Sequence, residues 1–320
     1  MISGKSFEYA LLIQFYGKLK QTTTVKIIKN SSFRIAKECF GFLSTDRRSD
    51  YLLTASFAVN FFIDIEPRLN NHLNNSDCLQ LEIAQDSRGE LGDARDILII
   101  RSLQDWEIGI SVKNNHRAIK HSRLSYSIDF GQKWLGINVS QQYLNDIKPI
   151  FQQLEEIKRL TNNTRKWKEL DNHHSSIYKP LLVAFRSELG RLHDVNSLKV
   201  SQNLIKYLIG KKDFYKVIKL KNQIEIQAYN FNQTLNLSFK NQNPLYIIPA
   251  IKLPTKILDI RFKPNSQTTV TVKLNYGWEL SFRIHNASSK VEPSLKFDIQ
   301  LLKSPKKLFK NHLNIVGNKD

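Results

Sequence analysis

The sequence predicts an α/β chain: a mixed sheet flanked by helices, followed by a strand-rich, basic C-terminal portion. Three observations predict it. Helical spacing of apolar residues covers Ser6–Leu19, Tyr51–Leu73 and most of 143–192. A compact set of short apolar strands lies between Leu79 and Lys113, and beyond Gly210 the period changes to two. With 320 residues, 41% hydrophobic and 24% charged, the chain can bury a sizeable core, which argues against global disorder. The expected division is an α/β portion over 1–195 and a basic strand-rich portion over 196–320.

Each element has its reason. Phe7, Leu11, Ile13, Phe15 and Leu19 form most of an apolar helical stripe. Tyr51–Leu73 is a second helical stretch, interrupted where Pro67 removes a backbone donor. Leu79–Ala84 is a first strand, joined by the polar QDSRGELG to Asp96–Arg101. That segment, DILIIR, is apolar on both faces, as a central buried strand would be. SLQD turns the chain into a third strand, Trp106–Lys113. Tyr143 to about Leu170 and Ile177–Leu192 read as helices, and Leu204–Ile209 runs into a turn at Gly210. Tyr215–Lys221, Gln223–Tyr229 and Thr234–Phe239 alternate as hairpin strands with Asn-rich turns; Val270–Leu274 and Trp278–His285 follow in the same style. Lys303–Lys310 is a basic tail, and no repeat at solenoid or propeller period is visible.

Charge narrows the partner. Lys and Arg total 48 against 29 acids, a net +19. Residues 1–176 hold 24 basic and 20 acidic side chains, whereas 177–320 hold 24 and 9. Such an excess in a foldable chain points to a polyanion, above all nucleic acid, held by the C-terminal half. Two cysteines, Cys39 and Cys78, make neither a disulfide framework nor a Cys-rich zinc site. No apolar run of about 18 residues exists for a membrane span, and the first residues lack a secretory pattern. A soluble, cytoplasmic protein with no membrane partner is expected.

The chemistry concentrates in GDARDILIIRSLQDWEIGISVK, residues 92–113. Strand parity puts Trp106, Ile108, Ile110 and Val112 on one greasy face and Glu107, Gly109, Ser111 and Lys113 on the other. Asp96 opens the preceding strand, where hairpin pairing would set it beside Lys113. An acid opening one strand and a lysine closing its neighbour resembles the PD-(D/E)xK nuclease core. Phosphodiester hydrolysis needs that pairing: a carboxylate holds a divalent cation, and a lysine orients water or stabilises the developing oxyanion. The short pattern alone equally describes a turn aspartate and a solvated strand face.

The segments around it are more specific. GDARDILII, WEIGISVKNNHRAIKHSRLSYSIDFGQKW, GKKDFYKVI and GWELSFRIHNASSKVEPSLKFDI together resemble the HaeIII-type restriction endonucleases, from SFEYA near the start to SLKFDI. The resemblance implies a Mg²⁺-dependent type II enzyme that cuts double-stranded DNA within GGCC, between the central G and C, leaving blunt ends. It implies Asp96 as first metal ligand and Lys113 as catalytic lysine. Ser111 stands where the wider nuclease superfamily has Asp or Glu, so the second ligand is open. Glu8 of SFEYA is the leading candidate, because related nucleases add an acid from the helix before the sheet. Glu107 would serve only if its strand bends, and Asp93 suits a turn cap as well as a metal. Cutting both strands of a palindrome suggests a homodimer on DNA. The Gly-rich loop and Pro-Cys nucleophile of a cytosine methyltransferase are absent, so a cognate methyltransferase would be a separate protein.

A GGCC reader needs Arg or Lys for guanine O6 and N7 and further cations for phosphates. Arg117, Lys120, His121 and Arg123 form one candidate cluster, and Arg283, His285 and Asn286 a second. His116 and His121 lack helical metal-ligand spacing, no HExxH occurs, and no P-loop is present. The competing readings are a nucleic-acid-binding protein without catalysis and a structure-specific repair nuclease with the same core.

Overall fold

The computed structural model describes residues 2–69, 77–85, 93–114, 118–240 and 242–315. The chain forms two compact units, each assembled from separated segments. The first comprises Met1–Arg117, Gly210–Ile251 and Lys307–Asp320; the second comprises Ala118–Ile209 and Lys252–Lys306.

In the first unit, α1 (Ile2–Leu19), α2 (Ser31–Gly41) and α3 (Thr45–Ile65) accompany β1 (Thr24–Ile28), β2 (Cys78–Ile83), β3 (Ile97–Arg101) and β4 (Trp106–Asn114). The sheet is completed by β6 (Phe214–Lys219), β7 (Gln223–Tyr229) and β12 (Phe309–Asn314). Among the described residues it has seven strands in the order β1-β2-β3-β4-β6-β7-β12. Pairing is mixed: β1/β2 and β4/β6 are parallel, and the other neighbours antiparallel. α1 packs on this sheet through Phe7, Leu11 and Phe15, which join Ile97, Ile99, Ile108, Ile110 and Val112 in one apolar core. Ile108, Ile110 and Val112, with Trp106, are the greasy parity set expected for 106–112, and burying each Ile or Val side chain is worth about 1.5–3 kcal/mol.

The second unit packs α4 (Gln141–Leu160), α5 (Lys179–Val195) and α6 (Ser197–Leu208) with an antiparallel sheet. Its strands are β5 (Ala118–Leu124), β8 (Ile257–Phe262), β9 (Thr269–Leu274), β10 (Glu279–Asn286) and β11 (Leu295–Lys303), in the order β5-β11-β10-β9-β8. Its core is aromatic: the Phe185 ring lies 4.9 Å from Phe297, 5.1 Å from Phe130 and 5.3 Å from Phe282, centroid to centroid. Cys39 and Cys78 are free thiols.

A linear boundary at 195/196 does not coincide with these units. Gly210–Ile251 returns to the first unit because β6 adds in parallel beside β4, a partnership that no local pattern announces. Other local expectations differ too. The strand expected at 234–239 is a series of turns, with Gln233, Asn236 and Lys240 at positive φ. Side chains take the amides that a ladder would have used: Thr234 N donates to Asp213, Leu235 N to Asn230 and Asn236 N to Glu66. The helix expected to reach Leu170 ends at Leu160, where Asn162 and Asn163 adopt positive φ. Leu204–Ile209 is the end of α6, and the stretch from Tyr51 begins earlier, at Thr45, and stops at Ile65 ahead of a short turn at Pro67–Leu69.

Candidate active site

Asp96 immediately precedes β3, and its N–H donates to the Ile110 carbonyl at 2.9 Å, which places it opposite Ser111 on β4. Three donors from β4 converge on one oxygen, Oδ2: the Val112 amide at 2.6 Å, the Ser111 hydroxyl at 3.3 Å and the Lys113 ammonium at 3.3 Å. Asp96 and Lys113 remain about a quarter exposed, so the pair is open to a solvent-borne substrate. The strand geometry thus brings together the acid and the lysine that the sequence separates by a turn.

Glu8 is buried on α1, with Lys5 one helical turn earlier donating to its Oε2 at 3.2 Å. Burial pushes its carboxyl up to about 7, and the charge of Asp96 pushes the same way, against the lowering influence of Lys5 and Lys113. Mutual influence of this kind means that Glu8, Asp96, Lys5 and Lys113 share one electrostatic neighbourhood. Lys5 is a member that sequence reading missed; its signal was the i, i+3 Lys–Glu spacing in GKSFE.

Asp93 and Glu107 are engaged elsewhere. Arg95 donates Nε to Asp93 Oδ1 at 2.7 Å and Nη2 to Oδ2 at 2.8 Å, while Nη1 reaches Glu107 at 3.0 Å. Lys212 also bonds Glu107. Burial would raise both carboxyls, yet the bonds from Arg95 to Asp93, and from Lys212 and Arg95 to Glu107, hold them below their usual range. Glu107 stands six residues from Lys113, about 20 Å along an extended strand, and nothing in β4 folds it back. The gap that parity left at Gly109 is filled: a Cβ there would run into the side-chain carbons of Arg95. Asp93 and Glu107 therefore anchor Arg95, and neither joins the Asp96 cluster through these bonds.

Glu8 and Asp96 offer hard carboxylate oxygens and no thiolate or imidazole, a donor set suited to a divalent cation such as Mg²⁺. The Asp96 bonds fall on Oδ2, which leaves Oδ1 available as a donor atom. Glu8, held near 7 first by burial and then by the charge of Asp96, would gain from a nearby cation. The residues fit the group.

The second unit sorts the expected DNA-contacting residues by sheet face. Register places His121 opposite Asp298 and Asp298 opposite Arg283, with Arg123, Lys296 and His285 in the adjoining row of the same face. Lys120 lies opposite Ile299, which is opposite Phe282, so it belongs to the aromatic-core face. There its ammonium donates to the Tyr207 carbonyl at 2.9 Å and sits 3.7 Å from the Tyr207 ring centroid. Asn286 shares that face opposite Leu295 and donates to the Ser288 carbonyl. Arg117 lies outside the described residues, as does His116. Lys296 and Asp298, in SLKFDI, are the polar-face residues that sequence reading passed over; alternation along β11 was their signal.

No helix among the described residues is long and apolar enough to cross a membrane. The type II restriction enzyme HaeIII of Haemophilus aegyptius is 42% identical to this chain over 305 residues, spanning 95% of the chain and 94% of the relative. No solved structure matches the chain. The HaeIII restriction endonuclease family matches residues 4–305. With an acid–lysine pair on adjoining strands and a match over nearly its whole length, this chain belongs to the HaeIII restriction endonuclease family and is a type II site-specific deoxyribonuclease.

Proposed function

We propose that Asp96, Lys113 and Glu8 form the hydrolytic centre of an enzyme that cuts double-stranded DNA at GG/CC with blunt ends, with Mg²⁺ as cofactor. The observation that carries this reading is the three-donor clamp on Asp96 Oδ2, with Lys113 as one of its arms and Glu8 in the same electrostatic neighbourhood. Glu8 and Asp96 would hold the divalent cation. When bound, it neutralises charge on the scissile phosphate and makes water more acidic.

The chain's own residues supply the rest. The Val112 amide and the Ser111 hydroxyl fix the Asp96 carboxylate so that little reorganisation accompanies reaction. Lys113 presents a compact ammonium to orient the attacking water and to stabilise negative charge growing on the phosphoryl oxygens. Ser111, in the place of the usual acid, is a positioning residue in this scheme, and Asp93 and Glu107 act through Arg95 on strand geometry. Attack in line gives 5′-phosphate and 3′-hydroxyl ends. On the second unit, His121, Arg123, Arg283 and His285 face the DNA; Arg117, which precedes that unit, is a further candidate.

Two centres related by a dyad would cut both strands of the palindrome, so the DNA-bound form is a homodimer. In this reading the protein is cytoplasmic, and a separate cytosine methyltransferase protects the same site. The test is plasmid digestion with and without Mg²⁺, with the fragment ends sequenced. Discrete blunt ends in GG and CC are expected; Lys113→Ala should abolish them while DNA binding persists. Ends at another sequence would overturn the specificity. Undiminished cutting by Lys113→Ala would overturn the centre.

A further inference from the structure

We propose that Asp298 is a positioning residue for base recognition, holding Arg283 and His121 in place on the polar face of the second sheet. The inference rests on the reading of that face as DNA-facing. Asp298 is the single acid in the central part of a face that otherwise carries Arg123, His121, Lys296, Arg283 and His285. An acid there repels phosphate, so its presence calls for a compensating role.

The geometry supplies one. Asp298 projects from the middle strand of three, β5-β11-β10, with His121 directly opposite on one side and Arg283 on the other. Its side chain is 9% exposed, against 59% for Arg283 and 50% for His121. The carboxylate is thus the buried foot of the row, and the guanidinium and the imidazole are its exposed arms. Oδ2 accepts from Arg283 Nη2 at 3.1 Å and from Gln300 Nε2 at 3.4 Å. Oδ1 is buried, accepts no hydrogen bond, and lies 3.8 Å from His121 Nδ1. A guanidinium is a rigid planar fork with five donors. With one arm fixed by a carboxylate, the remaining donors point in a set direction, as bidentate contact with guanine O6 and N7 demands. Oδ1 faces the His121 imidazole at 3.8 Å, in ion-pair range of the ring when it is protonated.

This makes a prediction whose sign separates it from plain structural damage. Asp298→Asn keeps shape and one acceptor but removes the negative charge. Loss of a well-oriented bidentate contact relaxes discrimination by about 5- to 150-fold, while loss of an acid from a DNA face strengthens sequence-independent binding. Cleavage rates are measured on the cognate duplex and on duplexes altered at one base pair, together with affinity for a duplex lacking the site. Asp298→Asn is expected to lower the cognate-to-altered ratio within that range and to raise the affinity for the non-site duplex. Arg283→Ala should lower the ratio comparably, and the double variant should lose less than the two single losses combined.

Four results would overturn the proposal. An unchanged ratio in Asp298→Asn is the first. Equal loss on every duplex, with a lowered melting temperature, would mean a structural role. Additive losses in the double variant would mean that Asp298 meets DNA independently of Arg283. If Arg283→Ala and His121→Ala leave affinity for both duplexes unchanged, the sheet face does not meet DNA, and the proposal falls while the endonuclease assignment stands.

Discussion

Glu8→Gln tests the proposed metal-holding role of the helix carboxylate through pH. Glu8 is held near 7 by burial and by Asp96, so on the proposed reading proton and cation would compete for it near neutrality. A group titrating at about 7 is ionised to about one part in eleven at pH 6 and ten in eleven at pH 8, so metal affinity through it should rise about tenfold across that interval. The assay is the Mg²⁺ concentration for half-maximal cleavage at saturating DNA, measured from pH 6 to pH 8. The wild type should need about tenfold more Mg²⁺ at pH 6. Glu8→Gln should need more Mg²⁺ throughout and lose most of that slope. Lys5→Met sharpens the test: Lys5 lowers the Glu8 carboxyl by charge and by its hydrogen bond, so its removal should shift the wild-type profile to higher pH. A pH-independent Mg²⁺ requirement in the wild type, or an unchanged slope in Glu8→Gln, would refute the reasoning.

Other perturbations follow from the same contacts. Gly109→Ala places a methyl group in the Arg95 stem, an overpacking that should cost about 1–3 kcal/mol in urea unfolding. Glu66 is buried, accepts from the Tyr215 hydroxyl at 2.5 Å and the Asn236 amide at 2.8 Å, and burial pushes it up to about 7. Because the folded state favours its neutral form, the stability it contributes is complete below about 4.5 and is lost as pH rises through about 7. Keeping it ionised above that point costs about 3 kcal/mol, so Glu66→Gln should unfold at higher urea than wild type at pH 8 and show little difference at pH 4. Isothermal titration with Ca²⁺ should show weak binding to free enzyme and tighter binding with cognate duplex, because two ammonium groups offset the two carboxylates until phosphates arrive.

The part of the site that the sequence made legible is the part set by strand parity. Trp106–Val112 alternates cleanly, so the polar set Glu107, Gly109, Ser111 and Lys113 follows from the spacing, and a hairpin return brings Asp96 alongside. Glu8 required a family resemblance, since no local rule says which face of a sheet end a preceding helix will reach. The roles of Asp93 and Glu107 were not legible because Arg95 decides them, and its path over Gly109 is a tertiary fact. In 118–124 the apolar Ile119 and Leu124 have opposite parity, so the basic cluster gave no hint that it was a strand. Only pairing with β11 shows that His121 and Arg123 share a face and Lys120 does not. The misread strand at 234–239 had the right alternation, but Asp213, Asn230 and Glu66 took its amides.

Ser111 explains why a helix carboxylate would matter here. In a site with acids on both strands, the metal-holding charge lies within the sheet, and the helix is optional. Here β4 contributes a hydroxyl, whose donation to Asp96 Oδ2 adds a donor where the superfamily has an acceptor. Strand and turn together then supply one carboxylate, already shared among three donors. A divalent cation needs further negative charge, and Glu8 is the carboxyl whose ionisation is tied to Asp96. Burial on α1 makes that carboxyl reluctant to ionise alone, a cost that a cation repays and a bare proton otherwise relieves. On the proposed reading the serine and the shifted Glu8 are one arrangement: a second acid on the helix rather than the strand would stand where metal and proton compete near neutral pH.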